Sequence, residues 1–394
     1  MMANDVVVVG AGVVGLAAAW RLIERGHRVT VVDPRPGEGA SRAAAGMLGA
    51  VSEFVFEEEA LLALSLPAAA RYGDVMTELE RVSGHDTGYR RTPTLVVSSG
   101  PSDRAAAESL RRRQTELGLP VSALAPIDAR RREELLSPGI AGALLADSDH
   151  QVDPRRLVRA YLAALEGSAR GTVRAATATA LVWEGTRVCG VVLDGAEHLP
   201  ADEVVLATGT SAGVVGLPDG LRLPIRPVYG DVLRLRAPAA LMPFLSHVVR
   251  GRVQGRSVYL VPRDDGEVVI GASEREDGRS GVSAGAVLQL LRDAAELVPA
   301  VAELELVETV ARARPGTPDN APLLGRLAPG LIADTGTHRH GVLLSVETAV
   351  VVADLVDGEP GHPQHAAFDP WRFSEATTVS PEPASVPIRS LEES

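Results

Sequence analysis

Apolar residues fall along this chain in three patterns, and each predicts a different element. Unbroken apolar runs, Val6–Val9 and Val204–Leu206, suit parallel strands buried on both faces. Alternation of apolar and polar positions marks residues 223–237, 256–273 and 304–316, as in antiparallel strands with one exposed face. Helical composition and spacing mark 16–26, 53–84, 103–118, 154–169 and 285–301, with Asp153 as an N-cap. Residues 89–99 read as an edge strand. A further strand lies within 139–154, and 171–209 is a succession of strands and turns. From 330 to 358 the chain returns to strand, turn and helix.

Strand–turn–helix pieces thus occupy the start, middle and end, with alternating strands between them. The fold class expected is α/β: a discontinuous Rossmann-like, nucleotide-binding domain with an inserted antiparallel-sheet α+β domain. The division expected is 1–88, 150–215 and 322–374 for the first domain, and 89–149 and 216–321 for the second. Residues 375–394 are polar and proline-bearing, and disorder is expected there.

The first unit carries chemistry. "GAGVVG" places Gly10, Gly12 and Gly15 in the GxGxxG spacing directly after a strand and before a helix. Gly10 permits the tight turn, Gly12 lets a pyrophosphate approach the backbone, and Gly15 lets helix and strand pack closely. The helix N-terminus offers unpaired N–H groups to the phosphates. Asp33, closing the second strand, suits a ribose 2′-hydroxyl and would repel a 2′-phosphate, which disfavours NADP. The unit alone leaves FAD and NAD both open. "GASRAAAGML" (39–48) is dense in small side chains, as suits a backbone lying against a planar ligand, or equally an alanine-filled core. Arg312 and Arg314 run into the rigid segment "PGTPDNAP". An arginine fork there matches a carboxylate, while a structural ion pair is the other reading the residues allow.

Charge and cysteine content narrow the classes. The 51 acidic against 39 basic residues give a net charge of -12, which argues against a nucleic-acid partner. The apolar segment 6–22 follows Asp5 and is short of the ~20 residues of a membrane span, so no membrane association is expected. The single cysteine, Cys189, excludes an intrachain disulfide and a CxxC motif and fits a cytoplasmic location; a packed side chain is expected for it. The nine histidines show no zinc-hydrolase spacing, and no metal is expected.

In order and at these intervals, "VVVVGAGVVGLAAAWRL", "GASRAAAGML", "HQVDPRRLVRA", "VVLATG", "LPIRPVYGDVLRL", "VYLVPRDDGEVVIGAS", "RPGTPDNAPLLG" and "GTHRHGVLLS" resemble the D-amino-acid oxidase superfamily of flavoproteins. The resemblance covers roughly residues 5–372. Within the superfamily the chain is most similar to the glycine oxidase branch of thiamine biosynthesis. The resemblance implies FAD, held by Gly10, Gly12, Val13, Val14, Gly15 and Asp33. It also implies that Ser41, Ala44, Gly46 and Met47 run along the pyrophosphate and flavin, and that the Val173 backbone meets the adenine. Ala207 and Gly209 complete the pocket, and backbone amides of the turn His338, Arg339, His340, Gly341, Val342 face the pyrimidine end of the ring. Ala43 stands about where covalent relatives carry their flavin-linked histidine, so the FAD is non-covalent.

By the same resemblance Arg314 grips the substrate carboxylate, Tyr259 assists it, and the Arg339 carbonyl sits near the substrate amine; Arg312 is structural. For Tyr259, a strand tyrosine with its hydroxyl in solvent is the plainer reading. The implied reaction is oxidation of glycine or an N-substituted glycine, with oxygen as acceptor and hydrogen peroxide as product. The alternative is oxidation of a larger secondary amine or a D-amino acid in a specialised pathway. A homo-oligomer, dimer or tetramer, is expected. The chain departs from the branch at four positions. His338 and His340 replace an aromatic residue and an asparagine, and Tyr229 and Asp231 alter the "RPVKG" motif. All four are expected near the flavin or on the path to it, and the residues leave open whether they reshape the pocket or are neutral.

Overall fold

The structure, a computed structural model, describes residues 3–211 and 216–374; the disorder expected for 375–394 lies outside the described residues. The valines at 6–9 are apolar throughout because both faces of their sheet are covered. Val6 and Val8 join a core with the helices Val13–Glu24, Leu62–Ser83, Pro154–Glu166 and Gly341–Val356. Val7 and Val9 pack instead against a small sheet of Ala178–Glu184, Arg187–Leu193 and His198–Pro200. Their own sheet has six strands, in the order 323–328, 331–335, 203–206, 5–9, 28–32, 171–174. All pairs are parallel except the first, where Leu323–Ala328 runs antiparallel at the edge. The parallel strands deliver Gly10, Asp33, Ala207 and Gly336 to one rim, the side on which open sheets of this kind bind ligands.

The second sheet has eight strands, in the order 305–316, 226–236, 267–271, 256–262, 248–253, 94–98, 142–146, 122–124. Register assigns its faces. Leu233, Ile270, Leu260, Val249, Leu95 and Leu145 pair in one row and are buried together under helix Ala284–Leu297. The neighbouring row, Val232, Gly271, Tyr259, Arg250, Val96 and Leu144, therefore points to the opposite face.

Two expectations are corrected. Thr94–Ser98 is not an edge strand, since it pairs with Val248–Val253 on one side and Gly142–Ala146 on the other. Pro93, which cannot donate to a ladder, lies just before the strand and leaves it free to pair on both sides. The helix expected over 53–84 begins only at Leu62, after a 3-10 turn at Glu59–Leu61. Tertiary bonds hold the chain before it. The Val51 and Ser52 N–H groups donate to the Asp149 carboxylate at 3.0 and 2.5 Å, and Arg250 donates to the Ser52 carbonyl at 2.8 Å. Strand 248–253, which the residue pattern did not reveal, supplies that arginine.

Candidate active site

A single cavity of about 1090 Å³ runs from the rim of the six-stranded sheet to the open face of the eight-stranded one. Its first half is built for phosphate and a flat ring. Gly10 has φ +110, and a Cβ there would lie 2.3 Å from the Ala207 carbonyl; a Cβ on Gly15 would lie 2.1 Å from the Gly10 carbonyl. These two glycines are required by the turn itself. Gly12 differs: a Cβ there meets nothing nearer than Ser41 Oγ at 3.4 Å, so the space above it is open. The Val13 N–H donates to Ser41 Oγ at 3.0 Å, whereas the N–H groups of Gly12 and Val14 have no partner among the described residues. Unpaired amides at a helix start suit an anion. Asp33 accepts from the N–H groups of Ala11 and Arg35, each at 2.8 Å, and still lines the cavity.

Ala44, Gly46, Met47, Ala207 and Gly209 line the same half. The 43–47 loop is held stiffly. Arg263, buried, donates to the carbonyls of Ala45 at 2.5 Å and Val152 at 3.0 Å and to Gln151 Oε1 at 2.6 Å. Burial draws its pKa down to about 10, still far above neutrality. Val173 is not part of the cavity wall: it pairs with Val31 and packs on the helical core. Gly15 likewise serves helix packing rather than the wall.

The second half carries the arginine. Arg314, Val228, Gly230 and Val232 share the face that holds Tyr259 and Arg250. Gly230 makes room for Arg314, since a Cβ there would lie 2.6 Å from its guanidinium nitrogens. The hydrogen bond Arg314 makes is a long one, 3.3 Å to the Ser273 carbonyl, and no carboxylate among the described residues lies within ion-pair distance. Arg312, by contrast, donates to the Glu38 carbonyl at 2.9 Å and sits 3.7 Å from the Glu38 carboxylate. Tyr259 lines the cavity; burial raises its phenol pKa while the nearby Arg314 charge opposes, so the hydroxyl stays protonated at neutral pH.

The turn 337–341 divides its side chains. His338, at φ +46, is buried against the cavity, and neither ring nitrogen has a hydrogen-bond partner among the described residues. Burial, then the charges of Arg339 and Arg314, hold its pKa down to about 3, so it is neutral. His340 does not reach the wall; it lies 3.7 Å from Glu58 and 3.9 Å from Glu53. Glu58 also clasps the Arg339 guanidinium. Burial works against the Glu58 charge, but His340 and Arg339 together bring its pKa down to about 2. Tyr229 and Asp231 are not on the flavin path. Strand alternation turns them to the other face, where Arg275 lies over the Tyr229 ring and pairs with Asp231 at 2.9 Å.

A family model described as FAD dependent oxidoreductase matches residues 5–355. The chain belongs to that family. Its cofactor is FAD, which the open space above Gly12 and the unpaired amides fit. The oxidoreductase is 34% identical to a glycine oxidase of Geobacillus kaustophilus over 94% of this chain and 96% of that one. A crystal structure of glycine oxidase from that organism superposes with a TM-score of 0.86 and 32% identity, covering 94% and 99% of the two chains. An iminodiacetate oxidase from Chelativorans sp. BNC1 superposes with a TM-score of 0.81 and 27% identity over 93% and 98%.

Four residues of the oxidoreductase's site were not evident in the pattern of the chain: Glu53, Glu58, Arg250 and Asp334. The acids at 53 and 58 read as part of a helix, and Arg250 belongs to a strand with no clean alternation. Asp334 is fully buried at the end of strand Leu331–Thr335, and neither oxygen makes a hydrogen bond of normal geometry. Burial pushes its pKa up to about 7, with the Thr348 hydroxyl the group that favours its charge. Its signal in the sequence was an acid inside the apolar run "GLIAD". Among the described residues no group of three metal-ligating side chains converges, and no helix is long and apolar enough to cross a membrane.

Proposed function

We propose that this oxidoreductase oxidises the C–N bond of glycine or an N-substituted glycine. The observation that carries the reading is Arg314, a cation with no carboxylate partner among the described residues, set in the FAD cavity beside Tyr259. The relatives named above agree in chemistry. Glycine and iminodiacetate each present a carboxylate next to an unsubstituted CH₂ that carries nitrogen, and they differ only at the nitrogen.

Arg314 binds that carboxylate through its two-pronged fork, and the Tyr259 hydroxyl adds a donor. The Arg339 main-chain carbonyl orients the amine, and the Arg339–Glu58 clasp fixes the turn that carries it. The glycine-rich turn, Ser41 and the 43–47 loop hold FAD without a covalent bond, because Ala43 offers no nucleophile. When bound, FAD accepts the hydride of the α-carbon and is reoxidised by oxygen to give hydrogen peroxide. No side-chain base is invoked. The substrate binds with its amine deprotonated, so the nitrogen lone pair drives the transfer, and positioning supplies the protein's share of the catalysis. The imine released hydrolyses to glyoxylate and the amine. We assign residues 1–88, 150–215 and 322–374 to FAD binding and 89–149 and 216–321 to the substrate side.

Oxygen uptake with glycine and sarcosine tests the reading. It expects peroxide and glyoxylate in equal amounts with at least one of them. A pure, FAD-loaded protein that consumes no oxygen with any glycine derivative contradicts it.

A further inference from the structure

The cavity does not end at the residues that would hold an amino acid. It continues along the register row of the eight-stranded sheet, from Tyr259 past Arg250 to Val96 and Leu144. Three strand spacings separate Tyr259 from Leu144, about 14 Å at ~4.8 Å each. Over this stretch lie Phe54 and, from helix Pro101–Glu116, Ala107 and Leu110. Of that helix only Asp103 and Gln114 are buried outright; Ala107 and Leu110 are half-buried and line the cavity, Leu110 packing also against the cluster of Phe54 and Ala146. We propose that this channel is a subsite for an uncharged, apolar substituent on the substrate nitrogen, and that the preferred substrate is an N-alkyl- or N-arylalkyl-glycine.

Two of the three charges along the channel are already answered. Arg250 donates to the Ser52 carbonyl at 2.8 Å and lies 3.4 Å from the Glu53 carboxylate. Asp103 accepts from Ser99 Oγ and from the N–H groups of Gln254 and Gly255, at 2.9 to 3.0 Å. The third, Arg252, is exposed on the row beyond, where it lines the outer end of the cavity without a side-chain partner among the described residues. A second anionic group on the substrate would therefore find no free cation along the middle of the channel among the described residues. An apolar chain finds Val96, Leu144, Phe54 and Leu110. The inference rests on the reading that Arg314 holds the carboxylate. With the carboxylate there and a bare α-carbon, the nitrogen is the position from which the substrate extends.

The test compares kcat/KM of the FAD-loaded enzyme for glycine, sarcosine, N-benzylglycine and D- and L-phenylalanine. N-benzylglycine is expected to exceed sarcosine by about tenfold or more, the gain a well-fitted apolar group brings. Ala107→Phe fills the channel and is expected to lower the ratio of N-benzylglycine to sarcosine about tenfold. Leu110→Trp does the same from the next turn of the helix if the first variant does not fold. Sarcosine equal to or better than N-benzylglycine overturns the proposal, as does a ratio that neither filling variant changes. A phenylalanine better than N-benzylglycine overturns it by placing the substituent on carbon. Loss of the underlying reading is distinguishable: then no glycine derivative, large or small, reduces the flavin.

Discussion

Arg314→Ala separates an arginine that binds substrate from one that holds the fold. A carboxylate on the guanidinium fork makes two charge-assisted hydrogen bonds, worth ~1.5–3 kcal/mol each. Their loss amounts to about 3–6 kcal/mol, or roughly two to four powers of ten in kcat/KM. Little stability goes with them. Among the described residues the side chain gives up one 3.3 Å bond to the Ser273 carbonyl and no ion pair, about 1 kcal/mol or less. Arg314→Lys keeps the charge and loses the fork, so it falls between the two. The assay is kcat/KM for sarcosine on FAD-loaded protein, with the flavin spectrum and the Tm recorded for each variant. The account expects a yellow, stable protein with a severe loss of kcat/KM in Arg314→Ala. An unchanged kcat/KM, or a large drop in Tm with FAD lost, refutes the reasoning.

Three further predictions concern the pocket's frame. Gly12→Ala is expected to fold with a near-normal Tm yet to purify colourless, because the added methyl meets nothing in the protein nearer than 3.4 Å and lies where the phosphates approach; a yellow variant contradicts the cradle. Glu58→Gln is expected to cost about 1–2 kcal/mol at neutral pH, after allowance for partial solvent screening, by unpairing Arg339 and His340. The folded pKa of Glu58, about 2, lies below its unfolded value, so its stabilisation is present above ~4.3 and fades as pH falls toward 2; the Tm difference between the proteins shrinks in step. Asp334 has the opposite sign. Its folded pKa of about 7 exceeds the unfolded ~3.9, so stability is lost as pH rises through that window, and Asp334→Asn is expected to raise the apoprotein's Tm near pH 8 but not near pH 4.

Much of the FAD side was legible in the chain because local geometry dictates it. The turn at Gly10 needs a positive φ, Gly15 needs contact with the Gly10 carbonyl, and Asp153 caps its helix by accepting from the N–H groups of Arg155 and Arg156. The strands within 223–237, 256–273 and 304–316 were legible by alternation. What alternation did not show is which strands neighbour one another. Thr94–Ser98 was placed at an edge because its partners are about 45 and 150 residues away in sequence. The same limit hid Arg250 and the acids at 53 and 58, which matter only once three distant segments meet. Tyr229 and Asp231 show a subtler failure. A motif places a residue near a site, but the two-residue period of the strand decides which face it takes, and both turn away from the cavity toward Arg275.

The central claim is that Arg314 and the FAD cradle serve one reaction on a glycine-type amine. Its most direct test is the visible spectrum of the purified protein while sarcosine and larger N-substituted glycines are added without oxygen. The account predicts a yellow protein that bleaches with at least one of them and regains its colour in air as peroxide forms. A yellow protein that keeps its colour with every glycine derivative contradicts the claim.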